Sequence, residues 1–158
     1  MFQDQAIPTR NEIRVHILHH RDGQLLGEYR GGDVIANLGL DLLDYRLGTA
    51  DAGRVRYLRA SAIGTGTGAP AGASTKLGSV VYQGTAPFAK GAATGSFTLN
   101  RVFKIGSTYA MRESGLFVGT KKDALLRGTM YSRGTYPVRN VVSGDQITVN
   151  YTVGFTSA

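Results

Sequence analysis

The stretch Asp145-Gln-Ile-Thr-Val-Asn-Tyr-Thr-Val-Gly-Phe155 decides how this chain folds. Ile147, Val149, Tyr151, Val153 and Phe155 fall on one side of an extended backbone, and Thr148, Asn150, Thr152 and Gly154 on the other. Successive side chains of a strand point to opposite faces, so the stretch reads as a strand with one buried and one wetter face. Ser143-Gly144-Asp145 is turn chemistry and sets where the strand begins. A strand cannot bury an apolar face alone, so neighbouring strands and a second layer must come from the rest of the chain.

Upstream, residues 1–11 lack periodicity and contain Pro8. They are expected to form an N-terminal arm able to reach a neighbouring subunit, ahead of a single β-rich domain over 12–158. Residues 12–18 alternate, with Ile13, Val15 and Ile17 against Glu12, Arg14 and His16. Arg21-Asp22-Gly23 signals a hairpin turn, and residues 24–29 return as a second strand. The period then changes. Val34, Ile35, Leu38, Leu42 and Tyr45 recur at helical spacing, which predicts one helix over 33–47, with Asp33 as N-cap and Gly48 as its stop.

Further strands are predicted at 55–63, 77–85, 96–105, 109–118 and 124–132, with loose connections at 64–75 and 84–95. Pro137 falls in a connection before a weak extended segment at 138–142. The sum is about eight strands and one helix, a mainly β chain built as an antiparallel β-sandwich or flattened barrel. Alternating βαβ order is absent, which argues against a parallel nucleotide-binding sheet.

At 158 residues the chain is long enough for one domain with a core of its own. It has no Cys, which excludes disulfides, thiolate metal sites and a cysteine nucleophile. No apolar run approaches the ~20 residues of a membrane helix, and Met-Phe-Gln-Asp-Gln does not open a signal peptide, so the expected compartment is the cytoplasm. Lys and Arg total 18 against 11 Asp and Glu, for a net charge of +7, and the basic residues are scattered. That patterning suits a solvated surface or an acidic partner better than a nucleic-acid track. The 22 Gly, set among Tyr, Val and Thr, suit a loop-rich β protein.

Few residues offer chemistry. Gly64, Gly66 and Gly68 resemble a phosphate cradle only superficially. A P-loop needs Lys then Ser or Thr opening a helix, whereas Lys76 comes late and precedes Leu77 in a predicted strand. His16, His19 and His20 do not form a three-ligand set, because His16 and His20 share a strand face that His19 does not, and they read as exposed hairpin histidines. There is no Gly-x-Ser-x-Gly elbow, and nothing brings Glu113 and Asp123 together as an acid/base pair. Glu113 reads instead as a structural carboxylate needing an Arg or several backbone N–H partners, with Arg101, Arg112 and Arg127 as candidates. Arg101 falls on the apolar face of its strand, near a rim. Tyr131 and Tyr136 are the only close aromatic pair that could serve a sugar-binding surface. No cofactor or metal is expected.

Two segments carry a family resemblance. Ala62-Ile-Gly-Thr-Gly-Thr-Gly-Ala-Pro-Ala-Gly-Ala-Ser-Thr-Lys-Leu77 resembles a pattern of an apolar strand, Gly-Thr-Gly-Thr, a small residue and Pro, a polar stretch with Thr, and Leu; Gly64, Thr65, Gly66, Thr67, Pro70, Thr75 and Leu77 match it. Arg112-Glu113-Ser114-Gly115-Leu116-Phe117 is similar to its Glu-x-Gly-Leu-Phe segment, with Glu113, Gly115 and Phe117 in structural roles. Leu125-Leu126-Arg127, the early Asn37-Leu38 and the closing alternation also fit, so the likeness runs from about residue 12 to residue 155. The family is that of tailed-bacteriophage virion structural proteins.

The resemblance implies a β-rich shell or tail component without enzymatic activity, assembled in the host cytoplasm and resident in the virion. A capsid decoration (cement) protein is the first expectation, since the chain closes soon after its last strand. A tail, neck or baseplate component or fibre anchor is the alternative, and a basic nucleic-acid-binding β module is the rival from another class. Expected partners are the major capsid protein or other virion proteins and further copies of the chain, a trimer above all. Expected contacts are Phe2, Ile7 and Arg10 in the arm, Gly64, Thr65, Gly66, Thr67, Pro70 and Lys76 in the glycine loop, and Phe88.

Overall fold

The computed structural model describes residues 10–35, 57–74, 76–90, 96–119 and 129–156. They form ten strands: β1 (Arg10–Arg21), β2 (Gln24–Gly32), β3 (Val34–Ile35), β4 (Tyr57–Gly64), β5 (Val80–Thr85), β6 (Phe88–Lys90), β7 (Ser96–Lys104), β8 (Tyr109–Gly119), β9 (Thr129–Val141) and β10 (Gln146–Thr156). Two five-stranded sheets result. Sheet A runs β2-β1-β10-β7-β6 and sheet B runs β3-β9-β8-β4-β5. All pairings are antiparallel.

The closing alternation becomes β10, the middle strand of sheet A, flanked by β1 and β7. Its apolar side is fully inside: Ile147, Val149, Tyr151 and Val153 have no exposed surface. They pack with Ile13, Val15 and Ile17 of β1, Leu99 and Phe103 of β7, and, from sheet B, Ile63, Met111, Leu116, Val118 and Val141. The core therefore lies between two inward-facing apolar layers, the arrangement of a β-sandwich.

Two of the passages between sheets join edge strands, and two, β7 to β8 and β9 to β10, join interior ones. Gly32 and Asp33 carry the chain from β2 to β3, and Ala86 and Pro87 from β5 to β6. The Asp22-Gly23 hairpin is as the sequence predicts, with both residues at positive φ (50° and 75°), which matches the right-handed twist of the strands it joins.

Several expectations are corrected. Asp33 does not cap a helix: Val34 and Ile35 pair with Arg133 and Ser132 of β9. No helix occurs among the described residues, and positions 36–47 of the predicted helix lie outside them. Apolar spacing of three and four at so short a strand mimics a helical stripe. Arg10 and Asn11 belong to β1, where they pair with Thr156 and Phe155, and not to a free arm; residues 1–9 lie outside the described residues. Phe88 opens a short strand on Leu99 within a region read as a loose connection. Pro137 does not break a strand. It falls where the register between β8 and β9 skips from Arg139 to Thr135, so its missing N–H is no loss to the ladder.

Candidate functional site

The glycine loop and the Glu113 strand, far apart in sequence, meet on the outer face of sheet B. Register explains it. Ala62 of β4 and Arg133 of β9 both lie opposite Gly115 of β8, and Met130 lies opposite Phe117. Alternation sets these side chains on the face away from the main core. That face carries a second apolar cluster of Ala62, Met130 and Phe117, and Leu77 from the returning end of the loop packs into it. Residues 65–74 and 76–79 thus roof the sheet.

Glu113 fastens the roof. Its side chain is fully buried. Oε1 accepts from the backbone N–H groups of Gly66 (2.9 Å) and Ser79 (2.7 Å). Oε2 accepts from the N–H of Gly78 (2.9 Å) and from Nε (3.1 Å) and Nη2 (2.9 Å) of Arg133. Arg133 also donates to the carbonyls of Gly68 (2.8 Å) and Ala69 (3.4 Å), on the outgoing arm of the loop. Thr65 N–H to Ser79 O (3.0 Å) ties the two arms together.

Burial works against the charged carboxylate, yet the backbone N–H donors and Arg133 together hold Glu113 below its ordinary range. With five donors converging on it, the carboxylate has little capacity left for proton transfer. Its chemistry is that of a clamp.

Two glycines are required by close approach. A Cβ at Gly66 would lie 2.4 Å from Oε1 of Glu113, and one at Gly115 would lie 2.9 Å from Leu77 and 3.0 Å from the Ser132 carbonyl. Gly115 makes the space that Leu77 fills, and Phe117 flanks the same cluster. The residues of the Glu-x-Gly-Leu-Phe segment therefore act on the residues of the glycine loop directly.

Of the sequence-predicted contacts, Gly64 and Gly66 lie at the latch, Thr67 and Lys76 are exposed on the roof, and Pro70 is half-buried beside them. Phe2, Ile7 and Thr75 lie outside the described residues. The loop is not the loose connection the sequence suggests, because both its arms are hydrogen-bonded to Glu113 or Arg133. The arginine is also a different one. Arg112 is exposed, Arg101 donates to the Thr85 carbonyl (3.2 Å) and lies over the Phe103 ring, and Arg127 lies outside the described residues. The strand predicted over 124–132 stops one residue short of Arg133, whereas β9 runs on to Val141. The signal for it is the extended run Thr129-Met-Tyr-Ser-Arg-Gly-Thr135, which places Arg133 inside a strand. No family model, curated protein or solved structure matches this chain.

A second buried carboxylate closes the opposite layer. Asp145, ahead of β10, accepts Nε of Arg21 (2.7 Å), Nη2 of Arg21 (3.0 Å), Nε2 of His19 (2.8 Å) and the N–H of Val142 (3.0 Å). The Arg21 hydrogen bonds above all hold it well below the usual carboxylate range. His19 is therefore not an exposed hairpin histidine. It continues the inward series Ile13, Val15, Ile17 and is buried. Nη2 of Arg139 lies 3.4 Å from its Nδ1. Among the described residues no group of three His, Asp or Glu could hold a metal ion. Tyr131 and Tyr136 are both buried, so neither offers a face to a sugar, and burial pushes the Tyr131 phenol up to about 12.

Proposed function

We propose that this protein is a structural component of a tailed-phage virion, in first place a capsid decoration protein that binds the outer shell. One observation carries the reading: the two segments that bear the family resemblance meet in a single latch, Glu113 on the amides of Gly66, Gly78 and Ser79. The latch presents a preshaped surface of small residues, with Thr67 and Lys76 exposed upon it. A loop already held in one shape loses less conformational entropy on docking than a free one, so more of the contact energy appears as affinity. Repetition over a symmetric oligomer, a trimer by preference, multiplies a modest contact by effective concentration. Clamping several shell subunits at once then resists disassembly by mass action. Phe2 and Ile7 remain proposed contacts of the arm.

Quantitative mass spectrometry of purified particles from the source of this sequence tests the reading. A decoration role requires copies on the order of hundreds per particle; about six or twelve copies would move the protein to the tail, neck or baseplate. Its absence from the particle overturns the proposal.

A further inference from the structure

The described strands leave four sheet edges, β2 and β6 in sheet A and β3 and β5 in sheet B. β3 and β6 have two and three residues, and β5 has six, with its Thr85 carbonyl taken by Arg101. β2 has nine, Gln24–Gly32, and among the described strands it pairs with β1 alone. Along such an edge alternate residues turn their N–H and C=O groups away from the sheet, where another strand can pair with them. Lys and Pro, which commonly blunt an edge, are absent from Gln-Leu-Leu-Gly-Glu-Tyr-Arg-Gly-Gly. Two large apolar side chains stand on it instead, Leu25 at 49% and Leu26 at 45% exposure. Leu25 lies opposite the outward-facing His20, and the bulge at this point sets Leu26 on the same side.

We infer that β2 pairs with β2 of a second copy of the chain, antiparallel about a two-fold axis at Tyr29, so that two copies of sheet A join into one sheet of ten strands. Self-complementarity selects both the occupant and the register. Opposite residues of an antiparallel pair share a face, so outward residues must meet outward residues. An axis at Gly27 sets Glu28 against Leu26. An axis at Glu28 or at Arg30 sets that residue against its own copy, like charge on like. An axis at Tyr29 sets Glu28 of each copy against Arg30 of the other, twice over. Arg30 and Glu28 are 72% and 47% exposed and 3.8 Å apart within one chain. Two copies therefore build a balanced square of four charges, and no surplus of either sign is required. The Glu28 contact with His16 (2.7 Å) is made across to β1, away from the free edge.

The same register sets Leu26 against Gly32 of the other copy. Gly31 and Gly32 line a groove of about 580 Å³ on the outer face, so Leu26 of one copy arrives where the other is hollow. On the inward side Gly27 meets Gly31, and these are covered by Arg139 and Tyr29 of their own chain. An isologous contact of this kind closes on itself and gives pairs; it is additional to any three-fold contact and independent of the virion reading.

Sedimentation velocity of the full chain over a concentration series tests it, reading the step that doubles the mass. The wild type is expected to take that step. Arg30→Glu and Glu28→Arg each set like charges opposite one another twice, and each is expected to weaken the step at least about tenfold. The exchange Glu28→Arg/Arg30→Glu restores opposite charges and is expected to return to within about threefold of the wild type. Arg112→Glu, an exposed site on β8, is expected to stay within about twofold, which separates this edge from net charge.

A wild type that never doubles leaves the edge to some other partner and overturns the proposal. So do reversals without effect, or an exchange no better than the single reversals. Should a reversal fail to fold by circular dichroism, Glu28→Cys/Arg30→Cys takes its place. The chain has no other Cys, so oxidation is expected to link two copies through positions 28 and 30 on a non-reducing gel. A product that stays single would overturn the pairing.

Discussion

The two outer faces of this sandwich solve the same problem in opposite ways. Sheet A turns Thr98, Asn100, Asn150, Thr152, Arg14 and Arg30 outward and can stand in water as it is. Sheet B turns Ala62, Phe117, Met130 and the carboxylate of Glu113 outward, and needs a cover that residues 65–74 and 76–79 supply. A sheet buried on one side shows clean alternation, whereas one buried on both does not. β10 reads Ile-Thr-Val-Asn-Tyr-Thr-Val, but β8 reads Met-Arg-Glu-Ser-Gly-Leu-Phe-Val, with buried residues on both sides of the strand. A buried carboxylate in such a strand marks where the cover is fastened.

Substitutions should therefore cost much on one face and little on the other. Glu113→Ala strips the acceptor from Arg133 and three backbone amides and is expected to destabilise the fold by about 3–5 kcal/mol in urea unfolding, the cost of breaking a buried pair from one side. Gly115→Ala drives a methyl into Leu77 and the Ser132 carbonyl, with an expected loss of about 1–3 kcal/mol by the same measurement.

The corner between the sheets should respond to pH with its own sign. Burial raises Asp33 to about 7, against the opposing hydrogen bond from Ser132. A raised carboxylate contributes stability at acid pH that is lost as pH climbs through its folded value. Glu113 and Asp145 are lowered, so their contribution is present above the ordinary carboxylate range and lost as pH falls through it. Asp33→Asn is expected to flatten the decline in melting temperature between about pH 4 and 7 while leaving the acid limb unchanged. On the bare face, Thr98→Ala and Thr152→Ala are expected to stay within about 0.5 kcal/mol of the wild type. A larger cost there would mean that this face, too, is covered.

How much of this was legible follows from the same contrast. Sheet A was read nearly strand for strand, because β1, β7 and β10 obey one period and the Asp22-Gly23 turn is specific. Sheet B was read in pieces. The Val34-Ile35 strand is too short for any period to declare itself, and Pro137 looked like a break because its register skip exists only in the pairing with β8. Glu113 stood out as a carboxylate in an apolar strand, and its need for an Arg and backbone N–H groups followed from burial alone. Which Arg, and which amides, depend on register between strands distant in sequence, and local pattern does not encode that. The burial of His19 is legible locally, since it extends the inward series Ile13, Val15 and Ile17 of β1.

Everything distinctive about the roofed face depends on one side chain organising a distant loop. Hydrogen exchange of the Gly66, Gly78 and Ser79 amides in the native protein and in Glu113→Gln reads that directly. Protection at all three in the native chain, lost in the variant while the β10 amides stay protected, is the expected result. Fast exchange at these amides in the native protein, or protection that survives the substitution, would contradict it.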